Sequence, residues 1–325
     1  MCPTRSQPHI AILLATFQGA QFLEPQLASL AAQSHGNWSL IVSDDGSTDG
    51  TLGIVTAFAA SRPDGQVRLV AGPQAGATRN FLHLLGITPE NSIAAFCDQD
   101  DVWFDTKLER AVSALAPVAG PAHYAARTLI CDEQLQVLTE SRRFVRPFGF
   151  RNALIQACMA GNTSVFNPQA VALLKQGLEP ARAAGIESHD WWAYQLMAGA
   201  GATLIHDPEP VLYYRQHGDS EMGRNDTARA MALRLGRLFQ GNYGGWLRSN
   251  HAALDGARAL LTPANRAILD RFGEALDMPG PLAARALYRL GLYRHTCPGT
   301  SAFYAAAALG RLRRADRSGA ADRRK

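Results

Sequence analysis

The stretch Ser92–Phe104, SIAAFCDQDDVWF, runs a short apolar segment straight into a knot of acids. Ile93 to Cys97 reads as a strand, and it stops abruptly at Asp98, Asp100 and Asp101. Carboxylates this close repel one another, and a buried cluster needs a compensating positive charge. In open α/β sheets, ligands bind beyond the carboxyl ends of the strands, where such a cluster would lie. The fold therefore turns on whether the strands before it end in the same way.

They do. HIAILLA (9–15), WSLIVSD (38–44) and VRLVAG (67–72) are short apolar runs. Between them lie helical stretches: one with Phe22, Leu23, Leu27 and Leu30, then TLGIVTAFAA (51–60) and ATRNFLHLLG (77–86). This alternation predicts βαβ units and a parallel sheet covered on both faces. Three strand ends carry polar clusters: TFQGAQ (16–21), SDDGSTDG (43–50) and DQDD (98–101). Further on the signal mixes, with strands near ARTLICDE (126–133) and GATLIHD (201–207) and a helix across WWAYQLMAG (191–199). After about residue 225 the chain turns Ala- and Arg-rich and helical, broken at GNYGGW and MPGPL. The expected division is a domain over 1–225 and a helical extension with a basic tail over 226–325.

At 325 residues and 47% apolar content the chain can bury a sizeable core. Its formal net charge of +4 is concentrated in one place. Gly310–Lys325 holds seven basic and two acidic residues, so the rest of the chain is close to neutral. A nucleic-acid groove would spread basic residues over the fold, which argues against that partner. The five cysteines are widely spaced with no Cys-x-x-Cys pair, as in a protein of a reducing, cytoplasmic compartment. MCPTRSQPHI has no apolar segment of a signal peptide, and AFYAAAALG (302–310) is too short to span a bilayer. A basic tail after an apolar helical stretch is compatible with peripheral contact at a membrane surface.

The loop after the first strand, Ala15-Thr16-Phe17-Gln18-Gly19, is neither a Gly-x-Gly-x-x-Gly turn nor a P-loop. A nucleoside diphosphate bound there would need another source of positive charge. A divalent cation on DQD would supply it, because hard cations prefer carboxylate oxygens and bridge protein to phosphate. ILLATFQGAQFLEPQLASLAAQSHGNWSLIVSDDGSTDGT followed by DQDDVWFDTKL resembles the inverting family-2 glycosyltransferases, and more narrowly their bacterial rhamnosyltransferase-like members. The likeness covers roughly residues 9–220.

The resemblance implies a GT-A fold: a Rossmann-like mixed α/β sheet with helices on both faces, here followed by a helical C-terminal extension. It implies a nucleotide-sugar donor (UDP- or dTDP-linked, with rhamnose as the sugar), a divalent metal (Mn2+ or Mg2+) and a glycan or lipid-linked glycan acceptor of the cell envelope. By the same resemblance Ala15 and Phe17 line the nucleoside pocket, and Asp45 accepts a hydrogen bond from the base. Arg79 lies near the nucleotide, Asp98 by the ribose, and Asp100 and His217 at the metal. Asp190, in SHDWWAYQLMAG, matches the general base, with Glu187 as its competitor. Asn162 replaces a cysteine usual in a sugar-contacting loop, and Phe17-Gln18 stands where the family has Tyr-Asn. Plainer roles compete: Asp44 to Ser47 suit a turn with Asp49 as cap, and Asp101 suits a solvated helix cap. Trp191 and Trp192 point about 100° apart on a helix, so one is expected in the core and one against a sugar. The rival activities are a sugar nucleotidyltransferase, which would want a Gly-rich loop with Arg or Lys after the first strand, and an inactive glycan-binding relative.

Overall fold

The computed structural model describes residues 7–217 and 242–313. Strand β1 (Ile10–Thr16) pairs in parallel with β2 (Trp38–Asp44) on one side and β4 (Ile93–Cys97) on the other, and β3 (Val67–Ala71) continues the sheet beyond β2. Ile10, Ile12 and Leu14 point into one core, Ala11 and Leu13 into the other. That period of two, buried on both faces, is why the run contains no polar residue until Thr16. Helices α1 (Leu23–Ala31), α2 (Thr51–Ala60) and α4 (Lys107–Leu115) cover one face. The other is covered by α3 (Ala77–Ile87), α6 (Pro168–Gln176), α7 (Leu178–Ala184) and α8 (His189–Gly199).

The rest of the sheet departs from parallel. The strand order is β3-β2-β1-β4-β8-β6-β9-β5, with β7 (Val137–Glu140) on β6. The two-residue β8 (Val165–Phe166) runs antiparallel to both β4 and β6 (Ala122–Cys131). Strand β9 (Thr203–Arg215) is parallel to β6, and β5 (Val102–Trp103) is antiparallel to β9. This last pairing positions the site. Val102 opposite Tyr213 and Trp103 opposite Leu212 bring the end of β9 back beside the acids that precede β5.

Beyond the short α5 (Phe150–Ala153), the C-terminal part contributes α9 (Asn242–Gly256), α10 (Pro263–Asp277), α11 (Gly280–Arg289) and α12 (Cys297–Ala308). Two of these start by rule. The Thr262 and Thr296 hydroxyls accept the N–H groups of Asn265 and Gly299, each with a proline in the first turn. Tyr243, Leu247, Leu254, Phe272 and Phe303 share one hydrophobic core with Phe96 and Trp192, so these helices are packed into the sheet domain's own core. The boundary expected near 225 and the tail from Arg314 lie outside the described residues. Among the described residues no helix is long and apolar enough to cross a membrane.

Candidate active site

At the carboxyl ends of β1, β2 and β4 the loops are tied to one another by side chains. The Gln99 amide bonds the Phe17 backbone in both directions, accepting from its N–H and donating to its carbonyl, each at 2.9 Å. This clamp leaves the Phe17 ring 55% exposed, free to offer a face to a flat ligand. It also explains Gly19, where a Cβ would sit 2.2 Å from the Gln99 Oε1. Gln18 spans to the next loop: its amide donates to Thr48 and accepts from the Thr48 and Asp49 N–H groups. Ala15 is half-buried at the strand end.

In the DDGS loop the two acids divide the work. Asp44 accepts from the N–H groups of Gly46 and Ser47 and from the hydroxyls of Thr16 and Ser47, a turn built on an aspartate. Asp45 accepts three N–H groups, from Gln74 at 2.7 Å, Ala75 at 3.0 Å and Gly76 at 2.8 Å. A carboxylate has about four acceptor positions, so roughly one is left for a ligand. Asp49 accepts from the Thr51 N–H and hydroxyl and from the Ala20 N–H, bracing the start of α2. Arg79, in the first turn of α3, is exposed and has no ion-pair partner among the described residues.

The third strand end holds the acids. Asp98 is half-buried. Asp100 faces the imidazole of His217, with an Oδ2 to Nε2 distance of 2.7 Å. Arg215 is buried under this pair, donating from Nε to the Asp100 carbonyl at 2.9 Å and from Nη1 to the Glu133 carbonyl. Its guanidinium lies 4.7 Å from the Phe22 ring centre, and Phe22 in turn abuts His217 at 4.8 Å. Asp101, expected as a solvated cap, is instead fully buried. Its Oδ2 accepts from the Asn162 amide at 2.7 Å, while its Oδ1 has no partner among the described residues. Burial pushes its carboxyl well above the usual carboxylate range, and Asp100 and Asp98 push the same way.

The compensating cation is Lys107. It is fully buried, donates to the Asn162 carbonyl at 2.6 Å, and stands 3.1 Å from the centre of the Trp103 ring. Burial lowers its ammonium to about 7, against the attraction of Cys97, Asp101 and Asp98. Sequence reading passed over both Lys107 and Gln99. Lys107 had a signal: Lys107, Leu108, Ala111 and Leu115 form the inward face of α4, so a helical plot puts its side chain inside. Gln99 had none beyond its place between two acids.

Asp190 sits in the first turn of α8, which Ser188 caps by accepting from the Trp191 N–H. Its Oδ1 takes the Ser188 hydroxyl and the Trp191 N–H, and its Oδ2 takes the Gly161 N–H at 3.0 Å. Gly161 permits that approach, since a Cβ there would lie 2.9 Å from the His189 Nε2. His189 stacks on Phe81 at 3.9 Å, and burial lowers its imidazole to about 4. Glu187 is exposed; its backbone carbonyl accepts from Thr78.

Two expectations about sugar contacts need correction. Trp191 and Trp192 are both buried, at 5% and 0% exposure. Trp191 stacks on Tyr243 of α9 and donates to the Ala153 carbonyl at 2.7 Å, so α9 packs against its ring. Asn162 is also buried, and its amide nitrogen is committed to Asp101 rather than offered to a sugar. Among the described residues no three His, Cys, Asp or Glu side chains cluster as a metal site; Asp100 and His217 bring two.

Residues 11–127 match the family model of Glycosyl transferase family 2. A dTDP-rhamnosyl transferase, RfbG of Shigella flexneri, is 28% identical over 231 residues, 69% of this chain and 78% of that protein. The glucosyltransferase WfgD of Escherichia coli, a UDP-Glc:alpha-D-GlcNAc-diphosphoundecaprenol beta-1,3-glucosyltransferase, is 29% identical over 33% of this chain and 40% of its own length. Among solved structures, S. aureus TarS 1-349 in complex with UDP-GlcNAc superposes with a TM-score of 0.52 at 13% identity, covering 94% of this chain and 90% of that one. The mannosyltransferase PcManGT from Pyrobaculum calidifontis, in complex with GDP-Man and Mn2+, gives 0.50 at 20% identity, covering 95% and 88%. Residues 11–127 are thus similar to the family-2 glycosyltransferases, and the chain shares the GT-A fold of these two glycosyltransferase structures.

Proposed function

We propose that the protein moves a sugar, rhamnose in the first instance, from a nucleoside diphosphate donor to a hydroxyl of a glycan or lipid-linked glycan, with inversion. The supporting observation is the turn at Gly161 and Asn162. Its Gly161 N–H holds Asp190, while the Asn162 amide and carbonyl hold Asp101 and Lys107. One short turn thus fastens the candidate base to the acid cluster that would face the donor's diphosphate.

The chemistry follows from those positions. Phe17 stacks on the base of the nucleotide, Asp45 takes a base N–H on its remaining acceptor position, and Asp98 bonds the ribose. Asp100 and His217 fit a divalent ion: a carboxylate oxygen and an imidazole nitrogen already face each other, a pair that suits Mn2+ better than Mg2+. Such an ion, held by Asp100 and His217, would supply charge neutralisation for the leaving diphosphate. The acceptor oxygen forms its bond to the anomeric carbon as the bond to the diphosphate oxygen breaks, and the acceptor proton passes to Asp190. Its Oδ2 carries the single Gly161 bond and so has capacity for that proton.

The donor types bound by TarS and PcManGT, and the names of RfbG and WfgD, favour UDP-, dTDP- or GDP-linked sugars and an envelope glycan as acceptor. A screen of nucleotide sugars with manganese, reading released nucleoside diphosphate, tests the reading. Hydrolysis of one donor, fastest for dTDP-rhamnose, is the expected result. Pyrophosphate formed from a nucleoside triphosphate and a sugar 1-phosphate, with no donor hydrolysed, would replace it with nucleotidyl transfer.

A further inference from the structure

From Met278 to Ala315 the chain contains no acidic residue and six arginines: Arg285, Arg289, Arg294, Arg311, Arg313 and Arg314. In a protein with 28 acidic residues in all, so long an acid-free run marks a surface set apart from the rest. Helices α11 and α12 form an antiparallel hairpin within it. Gly280, at the start of α11, lies against the Ala308 carbonyl and the Gly310 N–H beyond the end of α12, and the Tyr288 and Tyr304 rings meet at 5.6 Å.

The hairpin is two-faced. Ala283 and Leu287 of α11 and Phe303, Ala306 and Ala307 of α12 are buried. On α11, Pro281, Leu282, Arg285, Tyr288 and Arg289 are all exposed, and at 100° per residue all five fall within about 60° of Arg285. Leu282 is 57% exposed, Tyr288 72%, and Leu309, just past α12, 66%. Among the described residues, Arg285, Arg289, Arg311 and Arg313 have no ion-pair partner. Arg289 also lines a groove between α10 and α11 with Arg151, Arg271 and Asn265. Nearby acids are engaged elsewhere, Asp270 with Arg258 and Asp277 with Arg248, leaving Glu274 as the one acid of α10 without an ion pair among the described residues.

We infer that this α11–α12 hairpin is a docking face for an anionic lipid surface, with Leu282, Tyr288 and Leu309 entering the headgroup layer and the arginines meeting lipid phosphates. Charge complementarity selects the occupant. A protein partner matched only to the leucines and tyrosine would leave unpaired guanidiniums facing it, whereas a phosphate-rich, apolar-backed layer satisfies both. The contact is interfacial, because no described helix is long and apolar enough to span.

The test is flotation of the full-length protein with phosphatidylglycerol vesicles and with phosphatidylcholine vesicles at low salt. Binding is expected to the first only. R285E/R289E should weaken it by roughly tenfold or more, since each basic residue at an anionic surface adds about a fivefold gain. Melting temperature and donor hydrolysis should stay as in the parent protein, because neither arginine has an ion-pair partner to lose among the described residues. L282S/Y288S, which keeps every charge, should also weaken flotation, and it carries the test if the charge-reversed protein melts early. The proposal is overturned if the parent protein ignores phosphatidylglycerol, or if both double variants float normally. It is overturned equally if removal of residues 314–325 alone abolishes binding, or if inorganic phosphate displaces the vesicles far better than chloride of equal ionic strength. A parent protein that floats with phosphatidylglycerol but hydrolyses no nucleotide sugar would count against the glycosyltransfer reading and leave this face standing.

Discussion

In the parallel half of the sheet, β1 to β4, the polar residues at the strand ends are wired by backbone N–H groups of neighbouring loops, as Asp45 is by residues 74–76. In the half built from β5, β9 and α8, charged and aromatic groups are taken out of water altogether: Asp101, Lys107, Trp191 and Trp192 are all buried. The first arrangement needs only a strand, a turn and the next helix. The second needs elements far apart in the chain, such as α9 over Trp191 and the Asn162 turn over Lys107. A group held locally is positioned for a ligand, while a group held by distant elements is as much structure as chemistry. Asp190 belongs to both kinds, since its own helix start and the distant Gly161 N–H share its oxygens.

Asp190 is therefore where the comparison is tested hardest. Asp190→Asn should lower kcat by roughly 10²–10⁴-fold with donor affinity nearly unchanged, because a base acts in the transition state. The amide keeps the shape and can still accept the Gly161 N–H, yet it is too weakly basic to take a proton. Glu187→Gln, at an exposed side chain, should cost little. Turnover and nucleotide affinity measured on both variants check this, and a dead Glu187→Gln beside an active Asp190→Asn would break the assignment.

The tryptophans come next. Trp192 lies wholly inside the shared core, so Trp192→Ala should lose roughly 3–5 kcal/mol of stability in denaturant unfolding. Trp191→Phe keeps an aromatic face toward Tyr243 but loses the bond to the Ala153 carbonyl, about 1 kcal/mol, together with part of the buried ring volume. If Trp191→Phe instead left stability untouched and raised the KM for acceptor, that ring would be a sugar platform after all.

Burial also predicts the acid limit. Burial lowers His123 to about 3, with His206 as a second cause, and lowers His206 and His295 to about 4. These side chains lie close to Phe144, Phe148 and Phe166, where β6 and β9 meet the segment before α12. Folded pKa values below the unfolded value mean the unfolded chain takes up protons first. Stability is thus complete above about pH 6.5 and falls as pH drops toward 4, by about 2 kcal/mol at pH 5 for a wholly buried histidine such as His123. His123→Gln can keep the contact with Ser164 and cannot titrate, so its unfolding free energy should fall less between pH 7 and pH 5. An unchanged slope would show that His123 is not buried in the neutral form.

Legibility in the sequence followed the same divide. The apolar runs at 10–16, 38–44 and 93–97 announced the parallel strands because burial on both faces leaves a continuous hydrophobic signature. The polar clusters at their ends were readable because turn chemistry is local. The burial of Trp191 was not, because nothing near residue 191 says that α9, some fifty residues later, will cover it. Asp101 read as solvated because its partner, Asn162, arrives through a turn sixty residues away. Lys107 alone could have been placed by its helical face.

The metal's effect separates the two kinds of anchoring most finely. Asp100 and His217 meet across the β5–β9 pairing and, among the described residues, bring two donor atoms, so an ion held there would draw on oxygens from elsewhere, the donor's phosphates among them. Ion and diphosphate should therefore bind together. EDTA, or Asp100→Ala, should weaken nucleoside diphosphate binding by at least about tenfold, or 1.4 kcal/mol. Binding of the bare nucleoside, which the proposed function assigns to Phe17 and Asp45 on the parallel side, should hardly change. His217→Ala removes the other donor atom and should act in the same direction, while Phe17→Ala should weaken nucleoside and diphosphate alike. Calorimetric titration with nucleoside and diphosphate, each with and without manganese, gives all four comparisons. Equal diphosphate affinity in the presence and absence of the ion would detach Asp100 and His217 from the donor, and leave their contact as a fastening of β9 to the strand end.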